Sequence, residues 1–377
     1  MSDVAILRAL RTPIAPRSRG LANLSADRLA SHALAAAAAG APRTPDAVVM
    51  GNCTGPGGNL GRLAALGAGF GETCVGWGVD AQCGSGMVAV AQAARHVRES
   101  GETAAAGGAE SASTAPVRTL DGVPFSRAPF APEGFPDPDM IEAADDLAAR
   151  RGIGRARQEA FAVRSHELSL AHAAALEGET APLRRPGDPA SAPIPDDGPR
   201  STSPALLRRF RPVRSAPDAS VTPGTAARIA DGAAALLLAP AAEAAGPHCV
   251  VRGDALTGSD PALPGLGPVR AARRALERAG WTWDDVAVIE IVEAFAAQAL
   301  AALDELGLAD PAGDAVDERV NARGGALALG HPWGASGAVV LVRLVHRLLD
   351  APVGSRGVAM CAIGGGMGAA MLLERAA

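Results

Sequence analysis

Asp80-Ala81-Gln82-Cys83-Gly84-Ser85-Gly86-Met87 is the stretch on which the reading of this chain turns. A cysteine is followed at once by small residues and then by the helix-forming run Val88-Ala89-Val90-Ala91-Gln92-Ala93-Ala94. A cysteine at a helix start faces unpaired backbone N–H groups and the positive end of the helix dipole, and both favour its thiolate. Cys83 is therefore a candidate nucleophile. Against this stands the commoner role of cysteine as a small buried hydrophobe, with Gly84-Ser85-Gly86 merely turning a strand into a helix. Residues far away in sequence decide between the two.

Working outward, the strand Cys74 to Val79 delivers Cys83, and Thr103 to Ala106 forms the next strand, entering Gly107-Gly108-Ala109-Glu110-Ser111. Upstream lie an apolar strand Val4 to Leu7, a break at Arg11-Thr12-Pro13, a helix capped by Ser25, a buried strand Ala47 to Met50 and a helix around Arg62 to Gly67. Alternating short apolar strands and helices predict a mainly parallel sheet covered on both faces. From about Leu120 prolines crowd in at 124, 129, 132, 136 and 138, and a second Pro- and Gly-rich span runs from Pro182 to Pro204 around a helix Gln158 to Ala175. Proline at this density belongs to loops, which predicts an inserted subdomain. Asp231 to Leu238 reads as a return to a buried strand.

The second half echoes the first. Ala335-Ser336-Gly337 before a helix matches Gly84-Ser85-Gly86 before a helix, and Gly364-Gly365-Gly366 after a strand matches Ala106-Gly107-Gly108 after a strand. Such an echo predicts a duplicated α/β fold with its site at the pseudo-twofold axis. The expected division is a first half of residues 1–118 and 230–246, a loop domain of 119–229 and a second half of 247–377.

Composition narrows the function classes. The 377 residues are 48% hydrophobic and 20% charged with a net charge of −5, as in a globular enzyme and without the basic excess of a nucleic-acid binder. All 35 cationic side chains are arginine and tyrosine is absent, which excludes Schiff-base lysine chemistry and a tyrosine acid. The five cysteines lack paired spacing, so neither a disulfide framework nor a metal site is expected. No window is apolar over a membrane-span length, and the start on an apolar strand lacks the basic and apolar regions of a signal peptide, so a cytoplasmic protein without membrane contact is expected.

With these motifs in place the chain resembles the thiolases along almost its whole length. The residues that carry the resemblance are Arg11-Thr12-Pro13, Cys83-Gly84-Ser85-Gly86, Gly107-Gly108-Ala109-Glu110-Ser111, Phe161 to His166, Ile229 to Ala234, Glu293-Ala294-Phe295, Asn321 to Ala326, Gly330-His331-Pro332 and Gly364 to Gly368. The resemblance implies a five-layered αβαβα core with a loop domain inserted in the first half, assembled as a homodimer or dimer of dimers. It also implies an acyl-cysteine intermediate on Cys83, His331 as its activating base, and the N–H groups of Cys83 and Gly364 as an oxyanion hole. Coenzyme A or phosphopantetheine thioesters enter as substrates rather than as a bound cofactor, and an acyl carrier protein is a candidate partner.

Several positions depart from the family pattern. Ala362 stands where the family places the second cysteine, the one that moves the α-proton; Cys361 lies next door but is expected to face away, because neighbours in a strand point to opposite faces. Val292 replaces the asparagine of the Asn-Glu-Ala-Phe motif and removes a hydrogen-bond donor from an oxyanion site. Along the substrate route, Met140 sits in Asp139-Met140-Ile141 where the family has His-Met-Gly, Trp333 follows Gly330-His331-Pro332, and Arg228 replaces a glycine. Arg228 either enters the tunnel, blocking it or adding a charge there, or faces solvent. Arg208, Arg209, Arg211 and Arg214 are candidates for the phosphates of coenzyme A or an acidic carrier, or are simply an exposed charged surface.

These residues predict acylation of Cys83 from a thioester, followed by a non-standard second step: decarboxylative condensation, or transfer to an amine or alcohol, in specialised metabolism. The alternatives are ordinary acetyl-CoA acetyl transfer, thioester hydrolysis, and a non-catalytic scaffold that binds an acyl carrier.

Overall fold

The computed structural model describes residues 3–125, 127–184, 187 and 190–377. Four residues of the second Pro-rich span, at 185, 186, 188 and 189, lie outside that set. The first half runs β1 (Val4–Arg11), β2 (Ala15–Pro16), α1 (Ala26–Ala38), β3 (Ala47–Gly51), α2 (Leu60–Gly67), β4 (Val75–Val79), α3 (Ser85–Ser100) and β5 (Ala104–Ser111). The insertion carries β6 (Arg118–Leu120), β7 (Val123–Phe125), α4 (Met140–Arg151), α5 (Arg155–Ala171), α6 (Ala173–Gly178) and α7 (Pro204–Leu207). The chain then returns through β8 (Ala230–Pro240), and the second half follows as β9 (His248–Gly258), α8 (Gly267–Ala279), β10 (Val286–Ile291), α9 (Ala296–Leu306), α10 (Ala326–Leu329), α11 (Trp333–Leu349), β11 (Arg356–Ile363) and β12 (Met367–Ala376).

The main sheet has ten strands in the order β10-β11-β12-β9-β1-β8-β5-β3-β4, with β2 beside β8. It is mixed rather than mainly parallel. Among the described strands, β3 with β4, β3 with β5, and β10 with β11 pair in parallel, while β8 and β12 run against their neighbours. The physical reason is connectivity: β12 returns from β11 by a hairpin through Gly364-Gly365-Gly366, and β8 re-enters from the inserted domain instead of crossing over a helix. The halves join where β1 pairs antiparallel with β9. Ser25 precedes α1 as expected, but its side chain makes no capping bond.

What brings the halves together at the site is a close helix crossing. A Cβ on Gly86 of α3 would lie 2.9 Å from Ala338 Cβ of α11, and one on Gly337 of α11 would lie 2.8 Å from the Met87 backbone nitrogen. Any side chain at either position would drive the helices apart, so the small residues of the two echoing motifs serve the same contact. α11 is buried along nearly its whole length, as a helix enclosed between layers must be.

The inserted domain is fastened by Arg11, the last residue of β1. Its fully buried guanidinium forms ion pairs with Glu179 and Asp196 at 2.8 Å each, and the Asp196 pair is bidentate. A buried arginine is tolerable only when its donors are satisfied in this way.

Candidate active site

A single turn of 3₁₀ helix, Gln82–Gly84, sets Cys83 immediately before α3. Gln82 adopts φ +48, a conformation that asparagine and glycine take more readily. Ser85 holds the bend: its Oγ accepts from the Ala81 N–H at 2.9 Å and donates to the Gln82 carbonyl at 2.6 Å.

Cys83 Sγ lies 3.3 Å from His331 Nε2, although 248 residues separate them. The other ring nitrogen, Nδ1, lies 2.6 Å from Ser336 Oγ in the first turn of α11. Burial pushes the Cys83 thiol up to about 12, with the Glu110 carboxylate adding to the rise and the residue's own N–H opposing it. Burial also pushes His331 down to about 4. The resting pair is therefore neutral: the thiol donates to Nε2, which leaves the ring proton on Nδ1 to donate to Ser336. The expectation of a helix-stabilised thiolate is thus corrected. A dipole effect of roughly 0.3–2 kcal/mol is smaller than the about 4 kcal/mol that corresponds to a rise from 9.0 to about 12.

Two buried carboxylates brace this pair. Glu110, inside β5, accepts from Asn52 Nδ2 at 3.0 Å, Cys53 N at 3.1 Å, Thr54 N at 3.2 Å, Gly334 N at 3.0 Å and the Thr54 hydroxyl. It thereby ties the loop after β3 to the start of α11. Glu293 accepts from Ser165 Oγ at 2.7 Å, Asn321 Nδ2 at 2.7 Å and Leu327 N at 3.2 Å. Burial raises its pKa against these bonds. Three motifs distant in sequence, on α5, around Glu293 and from Asn321 to Ala326, are thus one hydrogen-bonded unit.

The remaining predicted residues fall as follows. Gly364 opens the hairpin turn and is buried, and the preceding Ile363 packs its Cδ1 where a Cβ of Gly84 would stand, 2.3 Å away, so the two turns touch. Strand alternation holds: Ala362 is half-buried while Cys361 is fully buried. The expectation that Cys361 faces away is corrected: it shares a strand face with Ile363, and its thiol donates to the Cys83 carbonyl at 3.3 Å. Val292 is buried and lines a small cavity with Gly330, Pro332 and Ser336, behind the His331 loop.

Arg228 touches the site through its backbone, since its carbonyl accepts from the His331 N–H at 2.8 Å. Its half-buried guanidinium donates to the Gly198 carbonyl at 2.7 Å, and burial together with nearby Arg200 lowers its pKa to about 10. Met140 and Trp333 are half-buried first residues of α4 and α11. Of the arginine group, Arg214 pairs with Glu142 at 3.3 Å, while Arg208, Arg209 and Arg211 are exposed. Among the described residues, no group of three or more His, Cys, Asp or Glu side chains is arranged to hold a metal ion, and no helix is long and apolar enough to cross a membrane.

Residues 4–242 match the family "Thiolase, N-terminal domain" and residues 246–375 match "Thiolase, C-terminal domain". The chain belongs to the thiolase family. This thiolase is 36% identical over 399 residues to an acetyl-CoA acetyltransferase of Chromobacterium violaceum, covering 99% of this chain and 100% of that one. It is 37% identical over 410 residues to a beta-ketoadipyl-CoA thiolase of Pseudomonas putida, covering both chains in full at 100%. The crystal structure of the Bacillus anthracis acetyl-CoA acetyltransferase superposes with a TM-score of 0.88 at 32% identity, covering 100% of this chain and 99% of that one. The expected thiolase fold is therefore present, and family membership makes this thiolase an acyltransferase.

Proposed function

We propose that this thiolase transfers acyl groups between coenzyme A thioesters through an acyl intermediate on Cys83, in the manner of acetyl-CoA acetyl transfer. The observation that carries the reading is the neutral pair of Cys83 Sγ and His331 Nε2 at 3.3 Å, with Ser336 fixing the ring. His331 takes the thiol proton as sulfur attacks the thioester carbonyl, and the tetrahedral oxyanion meets the N–H groups of Cys83 and Gly364. Collapse expels the leaving thiolate, which recovers the proton from the imidazolium. A free thiol, or a second thioester as it gives up an α-proton, then attacks the acyl carbonyl, and the released Cys83 thiolate takes up the proton lost. The names of full-length relatives support this ordinary reaction.

Exposed Arg208, Arg209 and Arg211 are suited to the coenzyme A phosphates. A second copy of the chain is the proposed partner at edge strand β4, where Val75 is 53% exposed. Intact-mass spectrometry after mixing with acetyl-CoA should show one acetyl adduct, mapped by fragmentation to Cys83. No adduct from any thioester, or an adduct mapped elsewhere, would overturn the proposal.

A second reading rests on Ala362 and Val292. Alanine carries no proton and valine donates no hydrogen bond, so enolate formation lacks two of its customary groups, and decarboxylative condensation or transfer to an amine, alcohol or water avoids that demand. The variant combining Ala362→Cys with Val292→Asn distinguishes the two. If the missing groups limit the reaction, acetoacetyl-CoA thiolysis should rise at least about tenfold, given that one oxyanion donor alone is worth roughly 3 kcal/mol. An unchanged rate would show that this thiolase has no need of them.

A further inference from the structure

Gly364, whose N–H the proposed mechanism directs at the oxyanion, has an aromatic ring against its α-carbon. A Cβ on Gly364 would lie 2.7 Å from Phe130 Cε2 and 2.8 Å from Cδ2, and one on Gly365 would lie 2.9 Å from the Phe130 carbonyl oxygen. Phe130 belongs to the Pro-rich segment before α4, far from the site in sequence and in no regular element.

The ring is held there by a compact clamp. Arg127 Nη1 donates to Asp137 Oδ1 at 2.7 Å and Nη2 to the Asp137 carbonyl at 3.0 Å. The Phe130 N–H reaches the same carboxylate at 3.3 Å. The Arg127 guanidinium lies over the ring, 4.7 Å from its centroid, in cation–π contact. Asp137 is bound so firmly that its carboxyl stays below the usual range, chiefly through the Arg127 hydrogen bond. Only three positions later Met140 begins α4. A loop that spends an ion pair, a backbone bond and a cation–π contact on one phenylalanine is built to place that ring.

From this geometry we propose that Phe130 sets the upper size of the acyl group carried on Cys83, restricting it to short, unbranched chains. The inference rests on the acyl-Cys83 reading. The Gly364 turn touches the Cys83 turn through Ile363 and Gly84, so an acyl group with its carbonyl oxygen at Gly364 N–H extends beside this ring. Each further methylene must then displace the ring or find another path, and the clamp resists displacement. Because cores and pockets are packed to near-crystal density, a ring left in place excludes chain carbons outright.

The test compares acylation rates of wild type, Phe130→Leu and Phe130→Ala with acetyl-, butyryl-, hexanoyl- and octanoyl-CoA, read as adduct mass on Cys83 against time. In wild type the rate should fall steeply beyond butyryl. In Phe130→Ala the octanoyl-to-acetyl rate ratio should rise at least tenfold, with Phe130→Leu intermediate. Arg127→Ala, which frees the ring without shortening it, should shift the ratio in the same direction. Equal ratios in all four proteins, with acetyl adducts forming normally, would overturn the role of Phe130 and leave the acyl-Cys83 reading intact. Absence of adducts from every thioester, wild type included, would overturn that reading and the inference with it. Should Phe130→Ala fail to fold, Phe130→Leu decides, because it keeps an apolar contact on Gly364.

Discussion

Replacing His331 with alanine should slow acylation of Cys83 by about 10³-fold, the middle of the range for a positioned general base. The larger signature is in the pH dependence. In wild type burial pushes the thiol up to about 12 and the imidazole down to about 4, which favours the neutral pair around neutral pH. Its acylation rate should be level from pH 6 to 9 and fall only as acid protonates His331. Without the imidazole, reaction depends on the trace of free thiolate. That fraction grows tenfold per pH unit below the thiol pKa, so the log rate of His331→Ala should rise with unit slope over the same range. Single-turnover acylation by acetyl-CoA, followed by quenched-flow mass spectrometry at several pH values, checks both. A level profile in the variant would show that another group accepts the thiol proton.

Glu110→Ala should lower stability by roughly 3 kcal/mol or more, because one substitution unpairs several donors at once. The carboxylate is fully buried and accepts from Asn52, Cys53, Thr54 and Gly334. Alanine would leave those donors unpaired, each buried one at a cost of about 1–3 kcal/mol before relaxation. Glu110→Gln should be milder, since its amide oxygen still accepts, and it separates stability from chemistry. The negative charge of Glu110 helps to hold the Cys83 thiol protonated, so its loss should move the thiol pKa down. Thermal unfolding measures the first effect, and the pH profile of iodoacetamide alkylation at Cys83 measures the second. A thiol pKa unchanged in Glu110→Gln would mean that burial alone sets it.

The principal chemistry was legible because it is carried by short motifs. Cys83 before a helix and His331 between glycine and proline announce themselves, and the structure brings them within 3.3 Å. Ser336 stood in plain view within Ala335-Ser336-Gly337, yet its contact with the imidazole depends on where α11 begins, which spacing alone does not fix. Glu110 was hidden differently. The expected strand stops at Ala106, whereas β5 continues to Ser111, and a carboxylate near the end of a buried strand becomes intelligible only once its partners after β3 and at Gly334 are known. The mixed sheet escaped for a related reason, because a short apolar run does not disclose its direction. Phe130 was least accessible: a proline-rich segment has no period from which the bearing of a side chain can be read.

The crossing of α3 and α11 through Gly86 and Gly337 has a consequence for biosynthesis. The nucleophile is translated long before its base, and neither half contains both. A chain released from the ribosome short of His331 would hold Cys83 with no imidazole beside it to accept its proton. The contact between thiol and imidazole exists only where the second helix seats against the first. Catalytic competence in this thiolase therefore depends on the two halves being docked.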